Sequence, residues 1–286
     1  NLLLPRPLFT DAGVSSVTEN LGSINNRGIE FELRTLNFAR GGFEWRTDLN
    51  LSRLNNEITS LLPGQDTLLS SNWFVGHPRG VYYVQRYAGV NPADGRPMYY
   101  DRNGNITYNP QSRDLNVEGD VVPDFFGGIS NRFSYKGLAL DVFFQFNVGQ
   151  ETFLQNEGFF LFDPSRLDNV DRRLLERSWK QPGDIAEYPI MVSSTNLPGA
   201  SNFYITSSTR LMEDASYLRL KTLTLSYDLP RALLRLSRMR QAQLYASAWN
   251  LMTWTAYDGI DPELVGTSAA PYPQTRQYTL GVTLSF

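Results

Sequence analysis

The plainest pattern along the chain lies in its last residues. Between Gln274 and Phe286, Tyr278, Leu280, Val282, Leu284 and Phe286 recur at spacing two, with Thr279, Gly281, Thr283 and Ser285 between them. Side chains on an extended strand alternate between faces. The spacing therefore predicts a β-strand with one apolar face and one face of small polar residues. Upstream, Ile29, Phe31 and Leu33 alternate with Glu30, Glu32 and Arg34, and Phe43, Trp45, Thr47, Leu49 and Leu51 with Glu44, Arg46, Asp48 and Asn50. Ile129–Tyr135, Leu138–Phe146 and Leu223–Tyr227 repeat the theme, while Gln241–Thr253 reads as a strand with apolar residues on both faces. Seven strands are predicted, over about 23–35, 43–58, 125–136, 138–150, 214–228, 240–255 and 274–286. Several exceed the ~5–6 residues usual in soluble sheets and match the ~9–11 that cross a bilayer at a tilt.

Periodicity alone leaves two settings open. In a soluble sandwich the apolar face is core; in an outer-membrane barrel it meets lipid and the polar face meets the lumen. The connections favour the barrel. Short ones follow the first, third and fifth strands (Thr35–Gly42, Lys136-Gly137, Leu229–Arg240), and long ones of about 59–124, 150–213 and 256–273 follow the others. Short periplasmic turns alternating with long extracellular loops are the organisation of such barrels. In a soluble domain, loops this long would count against the strand assignment. With the C-terminus on the periplasmic side, every long loop falls outside the cell. Bacterial barrels have even strand counts, and an open sheet in lipid leaves backbone unpaired. Residues 1–4 are too few for a further strand, so seven strands are expected to be the C-terminal part of a larger barrel. The opening Asn-Leu-Leu-Leu-Pro, without initiator Met or signal segment, fits a mature chain, domain or fragment, and the end reads as natural.

Composition narrows the chemistry. The chain has 286 residues, a formal charge of −3, no cysteine and one histidine. Disulfides, thiol catalysis, zinc ribbons and iron–sulfur clusters are excluded, and no multi-histidine metal site can form. No apolar run approaches the length of a membrane helix. The mildly acidic pI of about 5.3 gives no general case for nucleic acid. Aromatics at 13 % in a chain of slightly polar mean hydropathy suit an all-β protein.

Several segments together resemble the C-terminal barrel region of the SusC/RagA family of TonB-dependent outer-membrane transporters. They are Asn20-Leu-Gly-Ser-Ile-Asn-Asn-Arg-Gly-Ile-Glu30, Gly119-Asp-Val-Val-Pro-Asp-Phe-Phe-Gly127, Phe133-Ser-Tyr-Lys-Gly137, Trp179-Lys-Gln-Pro-Gly-Asp184, Leu211-Met-Glu-Asp-Ala-Ser-Tyr-Leu-Arg-Leu-Lys221, Asn250-Leu251, Tyr257-Asp-Gly-Ile-Asp-Pro-Glu263 and the terminal strand. They run in order along almost the whole chain. The resemblance implies the C-terminal strands of a 22-stranded antiparallel transmembrane barrel with long extracellular loops, whose plug domain is not present in this chain. It also implies a SusD-like surface lipoprotein as partner, an oligosaccharide or peptide as cargo, and drive from the TonB complex through the missing N-terminal region.

Individual residues are weighed against plainer roles. Tyr278, Leu280, Val282, Leu284 and Phe286 resemble the terminal signal read by the barrel-assembly machinery, since an unpaired terminal strand can add to another sheet. Trp73, Phe74, Tyr99 and Tyr100 in the first long loop, with Tyr82 and Tyr83, and Phe159 and Phe160 in the second, are candidates to stack on cargo or anchor a partner. They can equally form small loop cores. Asp101-Arg-Asn-Gly-Asn-Ile-Thr107 has oxygen ligands at calcium-loop spacing but lacks the Gly and Glu such a loop needs. A hairpin between Met98–Arg102 and Asn105–Tyr108 is the expectation. Asp163-Pro164 followed by Leu167, Val170, Leu174 and Leu175 predicts a capped loop helix. Val81–Tyr87 is a possible further loop strand. Glu30, Glu32, Arg34, Glu44, Arg46, Asp48, Arg132 and Asp141 should face the lumen as a wall network. His77 has no catalytic company, and no nucleophile, phosphate-loop or metal motif is present.

The expected function is therefore non-enzymatic. The chain is read as the wall and loops of an outer-membrane importer of oligosaccharides or peptides, in contact with lipid, needing no cofactor and binding no nucleic acid. Alternatives are a TonB-dependent siderophore or vitamin receptor, an adhesin or structural surface protein without active transport, and a secreted β-sandwich acting on glycans.

Overall fold

The computed structural model describes residues 2–7, 13, 16–154, 172–191, 207–234, 239–264 and 272–286. Eight strands form one antiparallel sheet, and each pairs with the next in the chain. They are β1 (Leu2–Pro7), β2 (Ser16–Arg40), β3 (Phe43–Ser60), β4 (Phe125–Tyr135), β5 (Leu138–Val148), β6 (Tyr217–Asp228), β7 (Gln241–Thr255) and β8 (Gln277–Ser285). The sheet is not closed, since β1 and β8 are its two edges.

The strand count differs from the seven expected, because Leu2–Pro7 pairs with Ser16–Gly22 of β2. Pro5 and Pro7 conceal this strand in the sequence: proline donates no ladder hydrogen bond and is tolerated only at sheet edges. The first predicted strand also runs on to Arg40 instead of ending near 35. A register shift between Leu36 and Phe38 breaks the alternation there, so the pattern fades while the pairing continues.

Local backbone chemistry sets the short turns. Gly41 and Gly42 both have positive φ (62° and 82°), and Lys136 and Gly137 repeat this between β4 and β5 (46° and 89°). Two-residue turns of that hand match the twist of the flanking strands. The β6–β7 connection carries a single helical turn (Arg231–Leu234). Asp228 N–H donates to Gly137 O at 2.8 Å, and Arg240 N–H donates to Ser285 O at 2.7 Å. The three short turns and the end of β8 therefore share one end of the sheet.

The long connections leave from the other end and carry their own structure. Val81–Gln85 pairs with Leu115–Asp120, Tyr87–Val90 with Pro97–Tyr100, Pro97–Tyr100 with Ile106–Thr107, and Glu151–Phe153 with Met212–Asp214. The buried apolar clusters lie at this end too. One joins Leu174, Tyr188 and Leu211; the other joins Ile58 and Leu61, with Trp73 and Val75 packed on it. No second layer of described residues covers the wall sheet.

Candidate functional site: the membrane wall and its loop layer

Register turns the alternation of single strands into continuous bands. Residues paired across strands share a face. Phe43, Tyr135, Leu138, Tyr227, Leu244 and Val282 lie abreast beside the short turns. Farther along come Trp45, Phe133, Leu140, Leu225, Ala246 and Leu280, and near the far end Phe31, Leu51, Gly127, Phe146, Leu218 and Trp254. Counting to the row of Ile29 and Phe125, the apolar band is about 25 Å tall for strands tilted as in membrane barrels. Aromatics gather at both rims. Phe38 and Phe43 have ring centroids 5.8 Å apart beside the short turns, and Phe125 and Phe146 6.3 Å apart near the loops.

The band is open to its surroundings. Leu280 is 86 % exposed, and Leu138, on an inner strand, 44 %. An apolar face of this extent has no place in water. The soluble-sandwich alternative fails here, because that face covers no core.

Polar side chains in the body of the band pair with one another. Trp45 Nε1 donates to Asn131 Oδ1 at 3.0 Å, and Thr47 Oγ1 to the same oxygen at 2.7 Å. Asn37 Nδ2 donates to Thr47 Oγ1 at 2.6 Å, and Thr35 Oγ1 to Asn37 Oδ1 at 2.8 Å. Such closure is what lipid demands of polar side chains. The opposite face carries the charges. Arg132 Nη1 reaches both Asp141 oxygens at 2.9 Å, Arg34 lies 3.6 Å from Asp48 and also pairs with Glu32, and Arg46 pairs with Glu44.

The loop layer is stitched across connections far apart in sequence. Gln85 N–H donates to Ser207 O at 3.1 Å and Ile190 N–H to Gly95 O at 2.9 Å. Trp179 Nε1 donates to Pro92 O at 2.9 Å, and its ring fills the space that a Cβ on Gly95 would take. Arg173 meets Asp258 at 3.0 Å, tying the second loop to the third.

The third loop is also clamped to the wall. Arg219 on β6 pairs with Asp261 and Glu263, and Lys221 Nζ with Glu263 at 2.7 Å. The Arg219 and Asp261 side chains are 4 % and 5 % exposed. Lys221 is an extra residue against β5, between Leu220 paired with Phe144 and Thr222 paired with Phe143, and it serves the same loop as Arg219. Burial opposes the charged form of Asp261. The Arg219 guanidinium and the N–H groups of Glu263 and Gln274 outweigh it and hold the carboxyl below its usual range. The two segments lie some forty residues apart in sequence. The signal was present as two cations and two acids, each pair at spacing two, but nothing local says that they meet.

The candidate contact residues fall into distinct settings. Tyr99 is fully buried against Tyr87, and Phe74 is buried with its ring 4.9 Å from Tyr83, so both belong to loop cores. Trp73 is half-buried with the Arg79 guanidinium 5.2 Å over its ring, and Tyr100 is half-buried in the hairpin. Phe159 and Phe160 lie outside the described residues, as does the start of the predicted helix at Asp163. Its end is described as Arg172–Arg177, with Leu174 buried. The Asp101 carboxylate accepts N–H bonds from Asn103 at 2.9 Å and Asn105 at 2.8 Å, which closes the hairpin. Tyr278, Leu280, Val282, Leu284 and Phe286 are all exposed on β8 and just beyond it.

No protein-family model matches the chain. A TonB-dependent receptor of Formosa agariphila, P3, is 29 % identical over the whole chain, which spans 31 % of that protein. The TonB-dependent receptor SusC of Bacteroides thetaiotaomicron is 26 % identical over 95 % of the chain, which spans 27 % of it. Among solved structures, the RagAB peptide transporter matches all of the chain with TM-score 0.84 and 29 % identity. The RagAB peptide importer in its open-open state matches with TM-score 0.85 and 28 % identity. Over its whole length the chain is similar to a barrel segment of SusC/RagA-type transporters. It spans about a third of the length of these relatives. The apolar band marks the outer membrane, with the short turns at one side of it and the long loops at the other. The sheet is not closed, and its fold matches one portion of a TonB-dependent transporter barrel.

Proposed function

We propose that this chain forms wall and extracellular loops of a TonB-dependent importer of oligosaccharides or peptides, working with a SusD-like surface lipoprotein. The observation that carries the reading is the match of the whole of this chain, in sequence and fold, to part of a transporter described as importing peptides. The stitched loop layer supports it, because three loops bound to one another and to the wall offer a preformed outer surface for a partner or cargo. The charged wall face supplies a wet lining. The chain's part in the work is binding and passage.

Within this reading, Trp73 and Tyr100 are the contact candidates among the described residues that retain exposed surface. The terminal strand, ending on Phe286, is the element offered to the assembly machinery. The test is purification of the full-length protein from native outer membranes in mild detergent, with identification of associated proteins and small molecules. A stoichiometric surface lipoprotein and a bound glycan or peptide are expected. Recovery of the protein alone, with uptake unaffected by loss of TonB, would contradict the reading.

A further inference from the structure

At the outer rim of the apolar band, β3 runs on past the point where β4 begins. Its pairing with β4 ends at Ser52–Phe126, whereas its pairing with β2 continues to Ser60. A cavity of about 500 Å³ opens in this splay. Arg27 and Arg53 line it, with Ile29, Asn55, Pro78 and Val122.

Register fixes which way the two arginines face. Arg53 pairs directly with Ile29, and Arg27 with Asn55, within a regular stretch of the β2–β3 ladder. Ile29, 74 % exposed, continues the lipid-facing row of Phe31 and Leu33. Arg27 and Arg53 are therefore diagonal neighbours on the lipid-facing side, Arg53 in the outermost row of the apolar band beside Ile29 and Arg27 one row beyond it. Both are exposed, and among the described residues neither makes an ion pair or side-chain hydrogen bond. Glu57, farther along the same face of β3, pairs with neither. The cavity also carries Asp120 and Asp124. The Asp120 carboxylate caps the Val122 N–H at 2.8 Å, and that of Asp124 packs against Gly149. Like charges at diagonal positions repel. Two unpaired guanidinium groups at headgroup height, beside apolar side chains, match a ligand with a phosphate above and hydrocarbon below.

We propose that Arg27 and Arg53 bind a phosphate of an outer-leaflet glycolipid, seating its headgroup in the splay between β3 and β4. The proposal rests on the outer-membrane reading but not on any cargo. A failure of that reading would appear separately, as absence of the protein from the outer-membrane fraction.

The experiment compares the full-length protein with the R27Q/R53Q and R27K/R53K pairs, each verified as folded by heat-modifiable migration. Native mass spectrometry counts co-purified phosphorylated glycolipid. Titration of delipidated protein then uses purified lipopolysaccharide, its dephosphorylated form and inorganic phosphate. Wild type is expected to retain one glycolipid, R27K/R53K to retain most of it, and R27Q/R53Q to bind at least about tenfold more weakly. Dephosphorylation should cause a similar loss. Equal binding by R27Q/R53Q or by dephosphorylated lipid would overturn the site. Saturation by inorganic phosphate alone, with no preference for lipid, would overturn the lipid as its ligand.

Discussion

At Gly281 the absence of a side chain is itself structural. A Cβ there would collide with the ring of Tyr245, which lies across it from the neighbouring strand on the polar face of the wall. An aromatic laid over a strand glycine restores the packing that the glycine lacks and covers its backbone. Replacing Gly281 by valine forces the ring away and should cost about 1–3 kcal/mol. We expect G281V to lower the temperature at which full-length protein loses its heat-modifiable migration, and G281V/Y245A to recover part of the loss. An unchanged G281V would mean that this contact contributes nothing. Residues of this kind are silent in sequence, because a glycine within a strand pattern reads first as a weakness.

At the scale of elements, the third loop is the best defined case. Arg219 and Asp261 are both withdrawn from solvent, so removing one partner strands the other. R219M should release the segment of Asp261 and Glu263 from the wall, at a cost of about 3–5 kcal/mol for a buried pair broken on one side. Limited proteolysis of whole cells should then show new cleavage within that loop. Protection equal to wild type would sink the clamp.

The loops should also respond to pH in two directions. Burial raises the Glu151 carboxyl, helped by Asp120 and Asp214, and burial likewise raises that of Glu213, helped by Asp258. A carboxyl raised by folding destabilises the layer while ionised, so protonation as pH falls from neutral relieves it. Asp261 is held low by Arg219 and its N–H donors, and Asp101 first by the Asn105 N–H. Their stabilisation is present above the unfolded value of about 4 and fades as pH falls through their depressed values. Loop protection measured by hydrogen exchange should therefore rise from pH 7 towards about 5 and fall below about 4. A monotonic loss from pH 7 downward would contradict the buried-acid assignment.

How far the elements were legible follows from the same physics. Alternation in strands such as Leu138–Val148 and Gln277–Ser285 is visible because one face must suit lipid and the other water. It fails where the backbone departs from regular pairing, at the shift between Leu36 and Phe38 and at Lys221. It fails also where prolines mask an edge strand, as in Leu2–Pro7. The loop layer was legible only in pieces. The hairpin around Asp101 carries its own turn chemistry, whereas the contacts of Trp179 with Pro92 and of Arg219 with Asp261 join distant segments.

For the whole molecule, the account turns on inversion: the wall's apolar face looks outward to lipid, and the buried clusters sit in the loops beyond it. One consequence is that the wall depends on detergent or bilayer, whereas the loop layer holds its own apolar clusters in water. The absence of cysteine from the chain makes the inversion directly measurable. Single cysteines placed in turn from Gln277 to Ser285 of the full-length protein, with any cysteine elsewhere replaced, can be spin-labelled in bilayers. Their accessibility to oxygen and to a water-soluble relaxation agent is then compared. The outward-facing band predicts a period of two, with positions 278, 280, 282 and 284 favouring oxygen and positions 279 and 283 favouring the aqueous agent, position 281 being set aside because a side chain there displaces Tyr245. Labels at 278, 280, 282 and 284 shielded from both agents, as in a packed protein core, would contradict it.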